Sequence, residues 1–535
     1  MPYRFFPARK LFPWSRVRAR CNWSKRWSRG KFASRCNKNI MRHTLKSLAA
    51  NIDQLTVLGD GETVITQLCN DSRLCEPGSL FAALPGSRVD GRDYIPQALE
   101  LEAAAILHDG SLSLDPNTPQ LIHPDPRRAL AHVAAAFYGQ PQKKLKSIVI
   151  TGTNGKSTVA SMCATILRHS GQRVGLISTV GIDIEGQKLA TSHTTPDAIT
   201  LYGLLADMVQ ANCRWLVMEA SSHALDQHRL VGIQPDVALF TNLSRDHLDY
   251  HGDMGAYFQA KAKLFREYHP KLALLPSSDA HAQALNSICR EQGVAVQTYG
   301  RVARQGVYAK QISAAIDCTR FVLQQKNQSA PVTLMAPGRF NLDNALAAAS
   351  ACLGMDLDLE TVAEGLNRFQ SVAGRVQAIH EGQNFAVLVD FAHTPDALDR
   401  LLSSLRPLTP GKLWVVFGCG GDKDSGKRPH MGECAGRLAH FPIITDDNPR
   451  SEDPAAIRAQ IMRGCRNRNA QEMDDREDAI TYALVNAQPG DTVVIAGKGH
   501  EQSQIGAHGA TPFSDAEVAR QALRGRAAMS RDFSA

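Results

Sequence analysis

The sequence has no long apolar run, no closely paired cysteines and no repeated segment. No stretch of its 535 residues approaches the ~18 consecutive apolar residues of a membrane-spanning helix. None of the 12 cysteines forms a Cys-x-x-Cys pair, which excludes a zinc ribbon and predicts reduced thiols in a cytoplasmic protein. A content of 43% hydrophobic and 21% charged residues is typical of a globular chain, and the length predicts several domains.

Acidic residues are missing from residues 1–40, which contain twelve Lys or Arg residues and three of the five Trp residues. The rest of the chain has 48 basic and 52 acidic side chains, so the formal net charge of +8 comes from this basic segment. Its composition suits a transit peptide or a polybasic contact. We predict instead a disordered extension, or sequence upstream of a start at Met41, and expect no nucleic-acid partner.

From Ser147 onward, short β-branched runs alternate with helical stretches, which predicts parallel α/β sheets. An Ala-rich helix, Asn341–Leu353, separates two sets of strands, and Val372–Arg375 is a plausible linker. The predicted strands are Ser147–Thr151, Val174–Ser178, Trp215–Met218, Val237–Thr241, Leu272–Leu275, Ala386–Val389, Leu413–Phe417, Pro442–Thr445 and Thr492–Ala496.

A glycine-rich segment, Gly152–Thr158, follows the first of these strands and opens an apolar helix. Glycines let backbone N–H groups surround phosphate oxygens at a helix N-terminus, where Lys156 can neutralise β- and γ-phosphate charge and Ser157 can bind Mg²⁺. The general P-loop pattern requires Gly at position 150, which is Ile150, so the match is to a shorter variant. The segment predicts a nucleotide-phosphate site.

Two further predicted strands end in polar clusters that contain Glu219 and His247. Ligands bind at the carboxyl ends of parallel strands, so both residues are candidate metal ligands that face the phosphate loop. Either residue taken alone would more often be structural. Their occurrence together with the loop favours a metal site formed by Ser157, Glu219 and His247.

Seven segments then resemble one enzyme family, the Mur ligases of peptidoglycan synthesis, and occur in the family's order over about residues 68–515. They read GTNGKST, MEASSHALDQHR, TNLSRDHLDYHG, YFQAKAKLF, GRFNLDNALAA, DFAHTPDAL and AGKGHE. The resemblance implies ATP-dependent ligation, in which the γ-phosphoryl group passes to a carboxylate and an amine attacks the resulting acyl phosphate. The expected fold is α/β with three domains: a small uridine-nucleotide domain at 41–145, a central P-loop-type, mostly parallel ATPase domain at 146–373 and a C-terminal Rossmann-like domain at 374–535.

The resemblance also implies a set of ATP-site residues and a catalytic group. Lys156, Glu219, His247 and Lys261 are the expected catalytic residues, with Mg²⁺ as the metal. Lys261 matches a lysine that the family carbamylates to N6-carboxylysine, and Lys263 is the alternative by register. The expected ATP contacts are Gly152, Thr153, Asn154, Gly155, Lys156, Ser157, Thr158, Asn344, Arg375 and Asp390.

The two other substrates are implied by motifs outside the phosphate loop. The segment TDDNPR, Thr445–Arg450, resembles the family branch that adds meso-2,6-diaminopimelate to UDP-N-acetylmuramoyl-L-alanyl-D-glutamate. The expected contacts to the UDP-substrate are Ser72, Ser87, Arg88, Val89, Thr194, Thr195, Ser221, Gln227 and Arg229. The expected diaminopimelate contacts are Lys423, Asp447, Asn448, Pro449, Arg450, Gly497 and Glu501.

One position departs from the family, and three alternative functions remain. The family commonly has Gly-Asp-Arg-Asp where this chain has Lys423 in the third place, which keeps the charge but loses the planar fork of Arg. The alternatives are a lysine-adding Mur ligase, a folylpolyglutamate synthetase-like ligase and a non-enzymatic nucleotide-gated module. TDDNPR argues against the first two, and the clusters at Glu219 and His247 argue against the third. We expect a monomer.

Overall fold

The structure is a computed structural model that describes residues 41–86, 89–191, 193–301 and 306–532. Predictions for residues 1–40, Ser87 and Arg88 lie outside the described residues. The chain divides into two compact units, the first ending at Pro126 and the second beginning at Arg127. The domain boundaries predicted at 145/146 and 373/374 stay predictions. No helix in the described segments is both long and apolar enough to cross a membrane.

The first unit is a small α/β structure around a five-stranded sheet. The sheet order is β2-β7-β6-β5-β4, with β4 to β7 parallel and β2 antiparallel at one edge, while β1 and β3 pair separately. Its strands are β1 His43–Thr44, β2 Thr56–Leu58, β3 Val64–Ile65, β4 Gln67–Cys69, β5 Ser79–Ala82, β6 Ala105–His108 and β7 Gln120–Ile122. Its helices are Leu45–Ala49 and Ile95–Glu100, with 3₁₀ turns at Ser72–Leu74 and Gly91–Tyr94.

The second unit begins with an eleven-stranded sheet whose order is β11-β10-β9-β12-β8-β13-β14-β15-β16-β17-β18. The strands from β9 to β16 in this order run parallel, and antiparallel strands extend both edges. The strands are β8 Lys146–Thr151, β9 Val174–Ser178, β10 Gly181–Ile184, β11 Gln187–Leu189, β12 Trp215–Glu219, β13 Val237–Phe240, β14 Leu272–Pro276, β15 Ala295–Tyr299, β16 Gly306–Ala314, β17 Thr319–Gln325 and β18 Gln328–Leu334.

A six-stranded sheet follows in the order β19-β20-β24-β21-β22-β23, parallel except for β19, together with the hairpin β25-β26. Buried apolar side chains cover both of its faces, as expected for a doubly wound sheet. Its strands are β19 Gln377–Ala378, β20 Ala386–Asp390, β21 Leu413–Phe417, β22 Phe441–Ile444, β23 Gln471–Glu472 and β24 Thr492–Ala496, and the hairpin strands are β25 Ser503–Gly506 and β26 Gly509–Pro512.

Helices connect these strands and present apolar faces to both sheets. Arg339–Leu353 is buried along almost its whole length, packing beside Lys156–His169 in the core of the larger sheet. The α-helices are Pro126–Phe137, Lys156–His169, Ala198–Gln210, Ser222–Asp226, Leu248–His251, Met254–Arg266, Ala280–Glu291, Arg339–Leu353, Leu359–Asn367, Pro395–Leu405, Lys427–Leu438, Pro454–Gly464, Arg476–Asn486 and Asp515–Asp532, and 3₁₀ helices lie at Pro141–Lys144 and Arg406–Leu408.

The predicted α/β class and its nine strands are confirmed, with ends shifted by at most one residue. The strands β15 to β18 were not predicted. Parallel strands buried on both faces are continuous apolar runs, whereas these edge strands mix apolar and polar residues, as in β18, where buried and exposed residues alternate.

Candidate active site

The phosphate loop connects β8 to the helix Lys156–His169 and depends on two glycines with positive φ. Gly152 has a φ of +143° and Gly155 a φ of +87°. A Cβ on Gly152 would collide with the Thr241 hydroxyl, and one on Gly155 with the Asn344 amide. Only glycine fits both the backbone conformation and the space. The loop therefore keeps its amide groups close to the end of β13 and to the buried helix.

A buried lysine, Lys261, and a partly buried lysine, Lys156, converge on one carbonyl of this loop. Lys156 Nζ donates to Gly152 O at 2.9 Å and to Thr153 O at 2.8 Å, while Lys261 Nζ donates to Gly152 O at 2.7 Å. Lys261 is 1% exposed. Its burial, and to a smaller extent the positive charge of Lys156, lower its pKa well below the ordinary value. Burial also lowers the pKa of Lys156. Within the described segments neither lysine hydrogen-bonds to a carboxylate, so the loop has positive charge available for an anion.

Glu219 ends β12 and lies completely buried at the edge of the same site. Its Oε1 accepts a hydrogen bond from Thr179 N at 2.8 Å, and its Oε2 accepts one from Thr179 Oγ1 at 3.1 Å. Thr179 Oγ1 also lies 3.1 Å from Thr194 Oγ1. Thr179 was not predicted, although it directly follows β9 and the rule that selected Glu219 could have found it.

His247 belongs to a cluster of rings beside the lysines. Its ring centroid lies 4.9 Å from that of His223 and 6.2 Å from that of Tyr257. Burial lowers the pKa of His247 to about 4 and that of His223 to about 4, so both imidazoles are neutral at neutral pH. His247 also has a φ of 54°, an uncommon conformation for a residue other than glycine. Of this cluster the sequence analysis selected only His247, because the other rings lie on separate helices, His223 on Ser222–Asp226 and Tyr257 on Met254–Arg266.

Arg375 ends the linker and contacts the phosphate loop, and Asp390 lies nearby in the chain that follows. Arg375 Nη2 donates to Ser157 Oγ at 3.4 Å, its guanidinium lies 4.5 Å from the Phe391 ring centroid, and its buried Nε has no partner in the described residues. Asp390 accepts hydrogen bonds from Val376 N at 2.7 Å and Ala392 N at 2.8 Å, and burial raises its pKa. Val376 has a φ of 48°, which is strained for a β-branched residue.

These groups surround one cavity of about 810 Å³, within the size range of small-molecule sites. Of the predicted ATP contacts, every residue except Gly152 lines it, together with Glu219, His247 and Lys261. Thr194 and Ser221 from the UDP-substrate set also line it. The sequence prediction that these residues share one site therefore agrees with the geometry.

Asp396 and Arg245 make two contacts that the sequence did not suggest. Asp396 Oδ2 accepts a hydrogen bond from Asn154 Nδ2 at 3.1 Å, which ties the helix Pro395–Leu405 to the phosphate loop. Arg245 pairs with Asp424 at 3.1 Å. Both contacts join residues before the linker to residues after it, so the two sheets of the second unit meet around the cavity.

The remaining UDP-substrate residues of the second unit form a connected set. Arg229 Nη1 donates to Thr195 O at 2.7 Å, and Arg229 Nη2 donates to Gln227 Oε1 at 2.7 Å. Thr195 Oγ1 accepts from Ser221 N at 3.1 Å and donates to Glu219 O at 2.8 Å. This chain of bonds runs from the main-chain carbonyl of Glu219 to the Arg229 guanidinium, a group that can pair with a carboxylate.

In the first unit, two of the predicted UDP-substrate residues are described, and they differ in environment. Ser72 is buried, and its Oγ donates to Gln97 Oε1 at 2.7 Å. Val89 is 59% exposed. Their role as substrate contacts stays a prediction.

The amino-acid element follows β22 and is built around a buried lysine. Lys498 is 0% exposed, and its Nζ donates to Asn448 Oδ1 at 2.9 Å and to Glu501 Oε2 at 2.9 Å. Asn448 Nδ2 donates to the same Glu501 oxygen at 2.8 Å, and Ile505 N donates to Asn448 Oδ1 at 2.9 Å. Because Asn448 Oδ1 accepts from two donors, the orientation of its amide is fixed. Lys498 was not predicted, although it lies within the quoted AGKGHE.

Arg450 and Gly497 complete this element. Arg450 has a φ of 53°, and its Nη1 donates to Gly421 O at 2.8 Å, which leaves Nη2 and Nε without a protein partner in the described residues. Gly497 has a φ of +110°, and a Cβ there would lie 2.8 Å from Asp447 Oδ2. Lys423 is exposed and makes no hydrogen bond to the other predicted diaminopimelate contacts that the structure describes.

Buried arginines hold the loops of this element. Arg476 and Asp515 are both 0% exposed and pair at 2.8 Å, and Arg476 also donates to Ala496 O at 2.9 Å and to Asp446 O at 3.3 Å. Arg428 pairs with Glu452 at 2.8 Å on the neighbouring loop. The strand ends that carry the element are thus fixed by ion pairs of the fold itself.

Comparison with known proteins agrees with this geometry. Three family models match: "Mur ligase family, catalytic domain" at residues 64–138, "Mur ligase middle domain" at 150–352 and "Mur ligase, glutamate ligase domain" at 374–499. The chain belongs to the Mur ligase family. It is therefore an ATP-dependent ligase of α/β fold, as the sequence motifs predicted.

Two relatives and one solved structure share the same name. A protein of Geobacillus kaustophilus named UDP-N-acetylmuramoyl-L-alanyl-D-glutamate–2,6-diaminopimelate ligase is 41% identical over 491 residues, covering 90% of this chain and 99% of its own length. A Bacillus licheniformis protein of the same name is 42% identical over 473 residues, covering 87% of this chain and 96% of its own. A solved structure of an enzyme with that name has a TM-score of 0.66 and 32% identity, covering 91% of this chain and 99% of its own.

Proposed function

We propose that the chain joins meso-2,6-diaminopimelate to the D-glutamate γ-carboxyl of UDP-N-acetylmuramoyl-L-alanyl-D-glutamate with hydrolysis of ATP to ADP and phosphate. The observation that carries this proposal is the pairing of a cationic phosphate loop with the preformed element of Asp447, Asn448, Arg450 and Glu501. The names of the relatives, at about 40% identity over most of the chain, support the same substrates.

The first step transfers the γ-phosphoryl group of ATP to the substrate carboxylate. Both groups are anionic, so positioning and charge neutralisation dominate the barrier. Lys156 and the loop amides would hold the phosphates, and Arg375, whose buried Nε lacks a partner among the described residues, would add a further cation. The acyl phosphate would form in the cavity lined by Thr194 and Ser221, where Arg229 and its partners would hold the peptide portion.

The donors around the loop fit a magnesium ion. Ser157 and Glu219 offer hard oxygen ligands, and the neutral imidazole of His247 offers a nitrogen. Among the described residues no group of three or more His, Cys, Asp or Glu side chains forms a metal centre. Mg²⁺ commonly binds one or two protein carboxylates, with substrate phosphates and waters completing the shell. When bound, the ion would neutralise charge on the phosphoryl oxygens.

Lys261 is the proposed site of carbamylation. Carbon dioxide reacts with an unprotonated amine, and burial lowers the pKa of this amine well below its usual range. Carbamylation would turn this buried amine into an anion beside the phosphates, which could then orient a second Mg²⁺. Lys263, the alternative by register, pairs with Asp226 at 2.9 Å.

The second step is attack on the acyl phosphate by the amine of diaminopimelate. The distal end of this amino acid carries both a carboxylate and an ammonium, whereas lysine carries only an ammonium there. Arg450, whose Nη2 and Nε have no partner in the described part of the chain, would pair with the distal carboxylate, and Asp447 or Glu501 would receive the ammonium. We also propose that the protein acts in the cytoplasm as a monomer and without a nucleic-acid partner.

Product analysis tests the proposal. The full-length protein, incubated with ATP, Mg²⁺, the UDP-dipeptide and meso-diaminopimelate, should yield ADP and a product whose mass equals both substrates joined with loss of water. Reactions without the UDP-dipeptide or without diaminopimelate are the controls. Formation of ADP without a joined product would contradict the proposed reaction, and a product formed with folate substrates would favour the folylpolyglutamate alternative.

A further inference from the structure

Cys69 and Cys75 lie on either side of the 3₁₀ turn Ser72–Leu74 and bring their sulfur atoms together. Cys69 ends β4 and pairs with Phe81 of β5, while Cys75 N donates to Ser72 O at 3.1 Å. The two Sγ atoms are 2.8 Å apart. A disulfide requires about 2.05 Å, so the sulfurs need to approach by less than ~1 Å.

The fold also holds both thiols in fixed surroundings. Cys69 is 4% exposed and Cys75 is 6% exposed, and both pack in a small core with Phe81, Ile95 and Ile106. Most of the entropy that ring closure would cost has therefore been lost on folding.

The contact between the two sulfurs shifts the pKa values of the two thiols in opposite directions. The hydrogen bond from Cys69 lowers the pKa of Cys75, and the same contact, with burial, raises the pKa of Cys69. The thiolate is the reactive form of cysteine. Cys75 is thus the better nucleophile, and Cys69 is next to it as a second thiol.

We propose that Cys69 and Cys75 form a redox-modifiable pair that a peroxide converts to a disulfide enclosing residues 70–74. The Cys75 thiolate attacks one peroxide oxygen, the O–O bond breaks, and the departing hydroxide takes a proton, leaving a sulfenic acid on Cys75. The Cys69 sulfur then attacks the Cys75 sulfur; the S–S bond forms, the S–O bond breaks, and a second water leaves with the proton of Cys69. Two thiols lose two electrons to one peroxide, which becomes two waters.

Cys69 acts in this scheme as the resolving thiol. Without it, the sulfenic acid on Cys75 is open to further oxidation to sulfinic or sulfonic acid, which a thiol reductant does not reverse. Either acid would put a charge among Phe81, Ile95 and Ile106, at a high cost in free energy. The buried Ser72, a proposed contact to the UDP-substrate, lies within the ring, so the damage would reach that site.

The chain provides an internal comparison. Cys163 and Cys352 also interact, but both are completely buried in the core of the larger sheet. A peroxide has less access to them, so their thiols should persist when Cys69 and Cys75 have reacted.

Mass spectrometry of the full-length reduced protein tests the pair directly. Hydrogen peroxide treatment is stopped with acid, free thiols are alkylated in denaturant, and peptides are analysed. We expect Cys69 and Cys75 to lose two hydrogen atoms together and to become alkylatable again after dithiothreitol. In Cys69→Ser, and in Cys69→Ala if Ser disturbs the core, dimedone should label Cys75 instead. Full alkylation of both cysteines in the treated wild type, or an earlier disulfide between Cys163 and Cys352, would overturn the proposal.

Ligase activity provides a second test, which rests on the proposed function. Peroxide-treated wild type should regain its activity with dithiothreitol, whereas treated Cys69→Ser should not. Equal recovery of the two proteins would overturn the resolving role of Cys69. If the untreated protein shows no ligation at all, the proposed function fails, and the mass measurement still decides the fate of the thiols.

Discussion

Buried cations occur at both the phosphate loop and the amino-acid element, but their partners differ. At the loop, Lys156 and Lys261 donate to backbone carbonyls. At the amino-acid element, Lys498 donates to Glu501, and Arg476 pairs with Asp515. We expect an anionic ligand to complete the first site electrostatically, whereas the fold itself neutralises Lys498 and Arg476 at the second. Substitutions at the loop should therefore impair catalysis and spare stability, while those around the amino-acid element should also impair folding.

The largest effect on stability is expected for Arg476→Met. The substitution leaves the carboxylate of Asp515 buried without its partner, and breaking a buried ion pair costs about 3–5 kcal/mol. Urea unfolding should show this loss. Arg524→Met, which removes an exposed ion pair with Glu381, is the matched control and should leave the free energy of unfolding unchanged. Equal stability of the two variants would contradict the contrast between the sites.

At the loop, Lys156→Ala should lower kcat by about 10²–10³, the usual effect of losing one charge-stabilising donor. Its free energy of unfolding should not fall, because among the described residues this lysine hydrogen-bonds to the backbone carbonyls of Gly152 and Thr153 and not to a carboxylate. Lys146→Ala, an exposed residue at the start of β8, is the control. A Lys156→Ala variant that keeps a tenth of wild-type turnover would contradict the assignment of this segment as a phosphate loop.

Lys261→Ala should also be nearly inactive, and short added carboxylates should partly restore turnover by occupying the vacated anionic position. Lys263→Ala should behave like the wild type, because Lys263 serves an ion pair with Asp226 away from Gly152. Steady-state rates with and without acetate check this prediction. If the two variants exchange phenotypes, the carbamate belongs to Lys263.

A smaller effect is expected for Lys498→Met, which frees the Asn448 amide and the Glu501 carboxylate. The KM for diaminopimelate should rise about tenfold, the value of a hydrogen bond to a charged group, while the KM for ATP should stay within about twofold. Lys412→Met, which removes an exposed lysine, is the control. A double-mutant cycle with Glu501→Gln should show coupling; additive effects would mean that Lys498 only supports the fold.

The sequence predicted the parallel core and the cavity-lining residues at the strand ends, such as Gly155, Lys156 and Glu219, for a physical reason. Doubly buried strands are continuous apolar runs, and polar residues that follow them lie at one sheet edge, as Glu219 does. Residues whose partners are far away in the sequence are not marked by any such local pattern. Asp396 reaches Asn154 across the linker, and Arg476 reaches Asp515 from another helix. The positive φ angles of Val376 and Arg450 could not be predicted from the sequence either, because the fold imposes them on residues that rarely adopt them.

The most direct test of the central claim is the ratio of kcat/KM for meso-diaminopimelate to that for lysine, measured by ADP formation with saturating ATP and UDP-dipeptide. Lysine would leave the donors of Arg450 unpaired, and a site built for a missing group discriminates by about 10⁴ or more. Arg450→Ala should reduce the ratio, which would link the preference to that side chain. We predict a strong preference for diaminopimelate in the wild type. Comparable values for the two amino acids would contradict the proposed specificity and leave an ATP-dependent Mur ligase with another amino-acid substrate.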